Sequence, residues 1–67
     1  MKKTAKAKDI VRMLKKAGYK EIRCHGSHHT FCNPNNGRKV TIAYHSTGAD
    51  LGRGTLRDIY EKTGLEF

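Results

Sequence analysis

Residues 20–32 read Lys-Glu-Ile-Arg-Cys-His-Gly-Ser-His-His-Thr-Phe-Cys, two runs joined by the dipeptide Gly26-Ser27. From 19 to 25, Ile22 and Cys24 alternate with Glu21, Arg23 and His25, which is the period of a strand with one buried face. Gly followed by Ser has the composition of a type II′ hairpin turn, whose first central residue needs a positive φ. A two-residue turn sets His25 opposite His28, and counting back along the ladder sets Ile22 opposite Phe31. His25 and His28 then share one face of the hairpin, Ile22 and Phe31 the other.

Downstream, the second strand runs from His28 to about Asn33 and meets a dense turn signal, Asn33-Pro34-Asn35-Asn36-Gly37. A third strand follows over 38–45, with Val40, Ile42 and Tyr44 alternating with Thr41, Ala43 and His45. A two-residue turn at Asn36-Gly37 pairs Phe31 with Ile42 and His28 with His45; a four-residue loop pairs 33 with 38 instead. The two registers differ by an even shift, so His28 and His45 stay on the side away from Phe31 and Ile42. The open face is expected to hold Glu21, Arg23, His25, His28, Thr41 and His45.

Both flanks read as helices. Ala7, Ile10, Val11, Leu14 and Ala17 recur at helical spacing from Lys6 to Ala17, with Thr4 as N-cap and Gly18 as the left-handed residue that ends the helix. After a polar loop, Ser46 to Asp50, the residues Leu51, Leu56, Ile59 and Tyr60 mark a second helix ending at Gly64, with Leu65 packing back. The order is α-β-β-β-α. It predicts a two-layer α+β fold, a three-stranded antiparallel sheet with both helices on one face and the other face open.

The 67 residues are expected to form one domain, since a chain this size has room for a single core layer. That layer is assigned Ile10, Val11, Leu14, Ile22, Phe31, Val40, Ile42, Leu51, Leu56, Ile59 and Leu65. Fourteen Lys and Arg against six Asp and Glu give a net charge of +8, a field that attracts polyanions. Lys2, Lys3, Lys6, Lys8, Lys15 and Lys16 crowd the first sixteen positions, as a solvated helix face or a nucleic-acid contact. No apolar run is long enough to span a bilayer and no signal-peptide core follows the basic start, so a soluble, cytoplasmic protein without a membrane partner is expected. In that compartment Cys24 and Cys32 read as unpaired thiols.

Three histidines on one face have a chemical meaning. Histidine titrates near neutral pH and can take a proton from one oxygen and return it to another. RNA carries its own nucleophile, the 2′-hydroxyl, so its cleavage needs only a base, an acid and cations for the phosphate. His28 and His45 are the two candidates for a catalytic acid/base role on this face, His45 also as a phosphate ligand. Arg23, His25, Ser27 and, at the start of the second helix, Arg53 are candidate RNA contacts.

Gly26-Ser27-His28-His29-Thr30-Phe31 resembles the Gly-Ser-His-x-x-aromatic signature of the HicA toxins, and Leu14-Lys15-Lys16-Ala17-Gly18-Tyr19 precedes it as in that family. The stretch 50–59 is similar to the family's Asp-Leu-x-x-Gly-Thr-Leu-x-x-Ile, and Thr63-Gly64-Leu65 to its terminal Gly-Leu. The resemblance covers nearly the whole chain as a single HicA-like domain. It implies a double-stranded-RNA-binding-domain-like fold and metal-independent endoribonuclease action on mRNA, with His28 as general acid/base. It also implies neutralisation by a HicB-like antitoxin and no small-molecule cofactor. Two departures stand out: His45 precedes Asp-Leu by one residue more than in the family, and Arg53 replaces the proline usual before Gly-Thr-Leu.

Cys24, His25, His28, His29 and Cys32 lie within nine residues, but zinc needs converging ligands. Alternation sends Cys24 and His29 to the core side and His25 and His28 to the open side, so no metal site is expected among them. A non-catalytic RNA-binding module of the same fold is the main alternative. A DNA-binding protein is weaker, because neither helix looks like the second helix of a helix-turn-helix pair.

Overall fold

The computed structural model describes residues 4–66. Lys2 and Lys3, counted above with the basic helix face, lie outside the described residues. The elements are β1 (Thr4–Lys6), α1 (Ala7–Lys16), β2 (Lys20–His25), β3 (His28–Cys32), β4 (Lys39–Ala43), β5 (Asp50–Gly52) and α2 (Arg53–Thr63). Strands β2, β3 and β4 form an antiparallel sheet in that order, and β1 pairs with β5 in a separate two-stranded ribbon. The α+β class, the central α-β-β-β-α order and the three-stranded sheet agree with the sequence reading.

The heptad-like spacing of Ala7, Ile10 and Leu14 puts them on one face of α1, where all three are fully buried. The helix then stops abruptly. Gly18, at φ 99°, lets its own N–H reach Lys15 O at 3.1 Å and the Tyr19 N–H reach Leu14 O at 2.8 Å. This is a Schellman ending, and Tyr19 folds back into the core as its apolar partner. In α2, Leu56 and Ile59 are buried, and Gly64 at φ 77° closes the helix through a 2.7 Å bond to Tyr60 O. Both helices contribute to the cluster that contains Phe31, Val40 and Ile42 of the sheet. One sheet face is thereby covered.

Several expectations need correction. Thr4 is not an N-cap but the first residue of β1, paired with Gly52; Lys6 occupies the cap position without a side-chain cap. The first α1 amides are satisfied by backbone instead, Ala7 N–H to Ala49 O at 2.8 Å and Lys8 N–H to Thr47 O at 2.9 Å. Leu51 is buried from β5, ahead of the second helix rather than in it, and Tyr60 is exposed. The core also takes in Ala7, Tyr19 and Tyr44, while Val11 and Leu65 only border it.

The two largest corrections are of register. Between Glu21 and Arg23 the β2–β3 ladder slips: Glu21 faces Phe31 and Arg23 faces Thr30, so Ile22 is the extra residue of a β-bulge and is 55% exposed. Ile22 does not pair with Phe31. The slip also reverses parity, which moves Glu21 from the open face to the covered one. Between β3 and β4 the longer loop is the one adopted: Asn33 N–H bonds to Arg38 O at 2.9 Å, Phe31 faces Val40 and His28 faces Ala43. His28 therefore does not oppose His45, and β4 ends at Ala43 rather than at 45.

Asn33 explains why that loop wins. It is buried, its side-chain oxygen accepts the Asn35 N–H at 2.9 Å, and its amide nitrogen reaches Ala17 O at 3.4 Å. Its backbone carbonyl accepts the Gly37 N–H at 2.8 Å, with Gly37 at φ 73°. One side chain thus joins the end of α1 to the loop beyond β3. Asn33→Ala should lower folding free energy by about 1–3 kcal/mol, measured by urea unfolding, because buried partners are left unpaired. Wild-type midpoint in the Ala variant would contradict this.

Burial, then the charges of Glu21 and Cys24, raises the Tyr44 phenol above its ordinary value of 10.0. The folded chain therefore holds that proton more tightly than the unfolded one. The associated stability is full below pH 10.0 and is lost as pH climbs through the raised value. Tyr44→Phe should lose less stability than the wild type on going from neutral pH to above pH 10.0, read as the shift in urea midpoint.

Candidate active site on the open sheet face

The hairpin turn forms as its composition demands. Gly26 sits at φ 59° and Ser27 has no positive φ, the pattern of a II′ rather than a I′ turn. His25 and His28 face each other across it, as expected. Ser27 O accepts the Tyr44 N–H at 2.9 Å, so the tip of the hairpin is tied to the chain leaving β4.

Alternation from the buried Phe31 defines the open face, and the observed registers lay it out as three rows. Nearest the turn are His25, His28 and Ala43; next come Arg23, Thr30 and Thr41; farthest are Lys20, Cys32 and Lys39. Thr30 and Thr41 join their hydroxyls at 3.1 Å. No acidic residue falls in these rows. Among the described residues Arg23, His25 and His28 have no side-chain hydrogen bond or ion pair, so these groups are free for a ligand. Lys20 and Lys39 were not among the residues singled out from the sequence; the bulge puts Lys20 on this face, and Lys39 shares the parity of Thr41 and Ala43, which either β3–β4 loop keeps.

The remaining candidates are dispersed. His45 lies beyond the end of β4, in a bend, with no ladder partner. Arg53 is exposed at the first turn of α2, next to the β1–β5 ribbon and off the β2–β3–β4 ladder. Ser27 is in the turn itself, with its carbonyl already engaged. The structure brings together Arg23, His25 and His28; it does not place His45 or Arg53 in their rows.

On the covered side, beyond the reach of the core, a second group forms. The His29 ring stacks on Tyr44 at 3.9 Å between centroids and 8° between planes. Its Nδ1 lies 3.3 Å from Glu21 Oε2 and its Nε2 3.3 Å from Tyr44 O. Cys24, the cross-strand partner of His29, joins them: one ligand atom each from Glu21, Cys24 and His29 lie within 4.8 Å of one another. The expectation that Cys24 and His29 share the covered side holds, and the bulge adds Glu21 to them.

None of the described helices is long and apolar enough to cross a membrane. Comparison with protein families matches residues 7–65 to the family described as HicA toxin of bacterial toxin–antitoxin. Comparison with curated proteins and with solved structures gives no match. The family match takes in α1, the three-stranded sheet with its Gly26-Ser27-His28 turn, and α2. The chain belongs to the HicA toxin family of bacterial toxin–antitoxin systems.

Proposed function

We propose that this toxin is a metal-independent endoribonuclease acting on mRNA, with His28 as its proton carrier. The observation that carries the reading is the pairing of two exposed, unpartnered imidazoles, His25 and His28, at the end of a sheet face without acids. Neutral His28 takes the proton of a ribose 2′-hydroxyl as its oxygen bonds to the adjacent phosphorus. The bond from phosphorus to the 5′-oxygen breaks, and that oxygen receives a proton from the protonated His25. The products are a 2′,3′-cyclic phosphate and a free 5′-hydroxyl. His25, directly across the ladder, is better sited for the second proton than His45, which has no place in the rows.

The cations divide by distance. Arg23 is one row from the histidines and suits the phosphate under attack. Lys20 and Lys39 lie four strand positions from His28, about 13 Å, and suit flanking phosphates. Such contacts read no base, so binding is sequence-tolerant. The toxin's antitoxin partner is read as HicB-like, with an acidic surface that covers this face and excludes RNA.

His28→Ala should lower cleavage of single-stranded RNA in EDTA by about 10²–10⁴-fold while leaving the circular dichroism spectrum unchanged. Wild-type cleavage by the variant would overturn the assignment and leave a binding module. His25→Asn should flatten one limb of a bell-shaped pH–rate profile; an unaltered profile would remove His25 from the proton path. RNA affinity should fall with salt at a log–log slope of about −0.7 per neutralised phosphate, and a flat salt dependence would make the basic face incidental.

A further inference from the structure

We propose that Glu21, Cys24 and His29 form a binding site for a divalent ion of the zinc class, on the covered side of the β2–β3 hairpin. This goes beyond the cleavage reading and is independent of it, since the site lies on the opposite face from His28. Thiolate, imidazole and carboxylate together suit zinc, whereas magnesium and calcium prefer sets made wholly of oxygen.

Three observations converge on it. First, the donors are already grouped: the widest separation within the set is under 4.8 Å, and His29 Nδ1 to Glu21 Oε2 is 3.3 Å. Bonds of about 2.0–2.3 Å in tetrahedral geometry need donors about 3.3–3.7 Å apart. One edge is thus already at ligand spacing, and the exposed Cys24 side chain, now 3.5 Å from Gly26 O, needs only to turn.

Second, the ring of His29 is held as ligating rings are held. Its Nε2 faces the Tyr44 carbonyl at 3.3 Å, an outer partner of the kind that fixes the tautomer of a metal-bound imidazole. Stacking on Tyr44 fixes its plane. With the proton on Nε2, the lone pair of Nδ1 points at a carboxylate oxygen 3.3 Å away. Two acceptors in that relation need a cation between them, a second proton on the ring or a metal ion.

Third, the bulge has a use here. Residues 21 and 24 would lie on opposite faces of a regular strand; the extra residue at Ile22 puts them on the same face, at the cost of exposing an isoleucine. Bound metal would clamp β2 to β3 across this irregularity, directly behind the turn that carries His28, with water at the fourth position.

The test is cobalt(II) titration of the reduced full chain, a probe whose visible spectrum shows a thiolate-to-metal charge-transfer band when sulfur ligates. Wild type should saturate at one ion per chain with that band, and zinc should displace it and raise the melting temperature. Cys24→Ser should lose the band, Glu21→Gln should bind about tenfold or more weakly, and Cys32→Ser should match wild type. Circular dichroism of each variant verifies folding, and the two altered ligands are exposed. A wild type without the charge-transfer band, a band that survives Cys24→Ser, or one lost in Cys32→Ser would each overturn the assignment. Loss of RNA cleavage would not affect it, nor would its failure affect the cleavage reading.

Discussion

A β-strand cannot turn one side chain inward without turning its neighbours outward, and in β3 that constraint ties the core to the chemistry. Phe31 is fully buried beneath both helices, so Thr30 and His28 must face the open side. The central position of β3 then imposes its parity on β2 and β4 through backbone pairing. The open face, from the histidines at the turn to Lys39 at the far end, is placed by this one buried aromatic and the two turns flanking its strand, and the bulge in β2 adds Lys20. Helix packing supplies the anchor: Ile10, Leu14, Leu56 and Ile59 close over Phe31, Val40 and Ile42.

Parity was legible where turn chemistry was unambiguous. Gly26-Ser27 admits one short turn, so the opposition of His25 and His28 could be counted from the sequence and is found. The Asn-rich stretch admitted two loops, and the deciding interaction, the Asn33 side chain reaching back to Ala17 O, is a contact across sixteen residues that no local pattern carries. Both loops kept the faces, so the site survived the ambiguity while the His28–His45 pairing did not. The β1–β5 ribbon escaped notice for a related reason: three-residue strands have too few positions to display a period, and their partners lie more than forty residues apart.

Within the sheet, the bulge at Ile22 was the feature that reversed side-chain assignments. An apolar residue in an alternating run argues for an inward position, and Ile22 is instead exposed because an extra residue was inserted at that point. Its exposure costs buried apolar area in a chain that has little to spare. Set against that cost is the gathering of Glu21, Cys24 and His29 on the covered side. The hairpin therefore carries two separate groups of side chains, His25 and His28 on the open face and Glu21, Cys24 and His29 on the other, with the strand pleat keeping them apart.

Central to this account is the use of RNA's own 2′-hydroxyl as nucleophile, with histidine moving the protons. It is tested most directly by the ends left on a cleaved RNA in EDTA, compared with the same RNA carrying a single 2′-deoxy sugar at the cut position. The account predicts 2′,3′-cyclic phosphate and 5′-hydroxyl ends, and no cleavage at the deoxy position. Products with 5′-phosphate and 3′-hydroxyl ends, or undiminished cutting at the deoxy sugar, would contradict it.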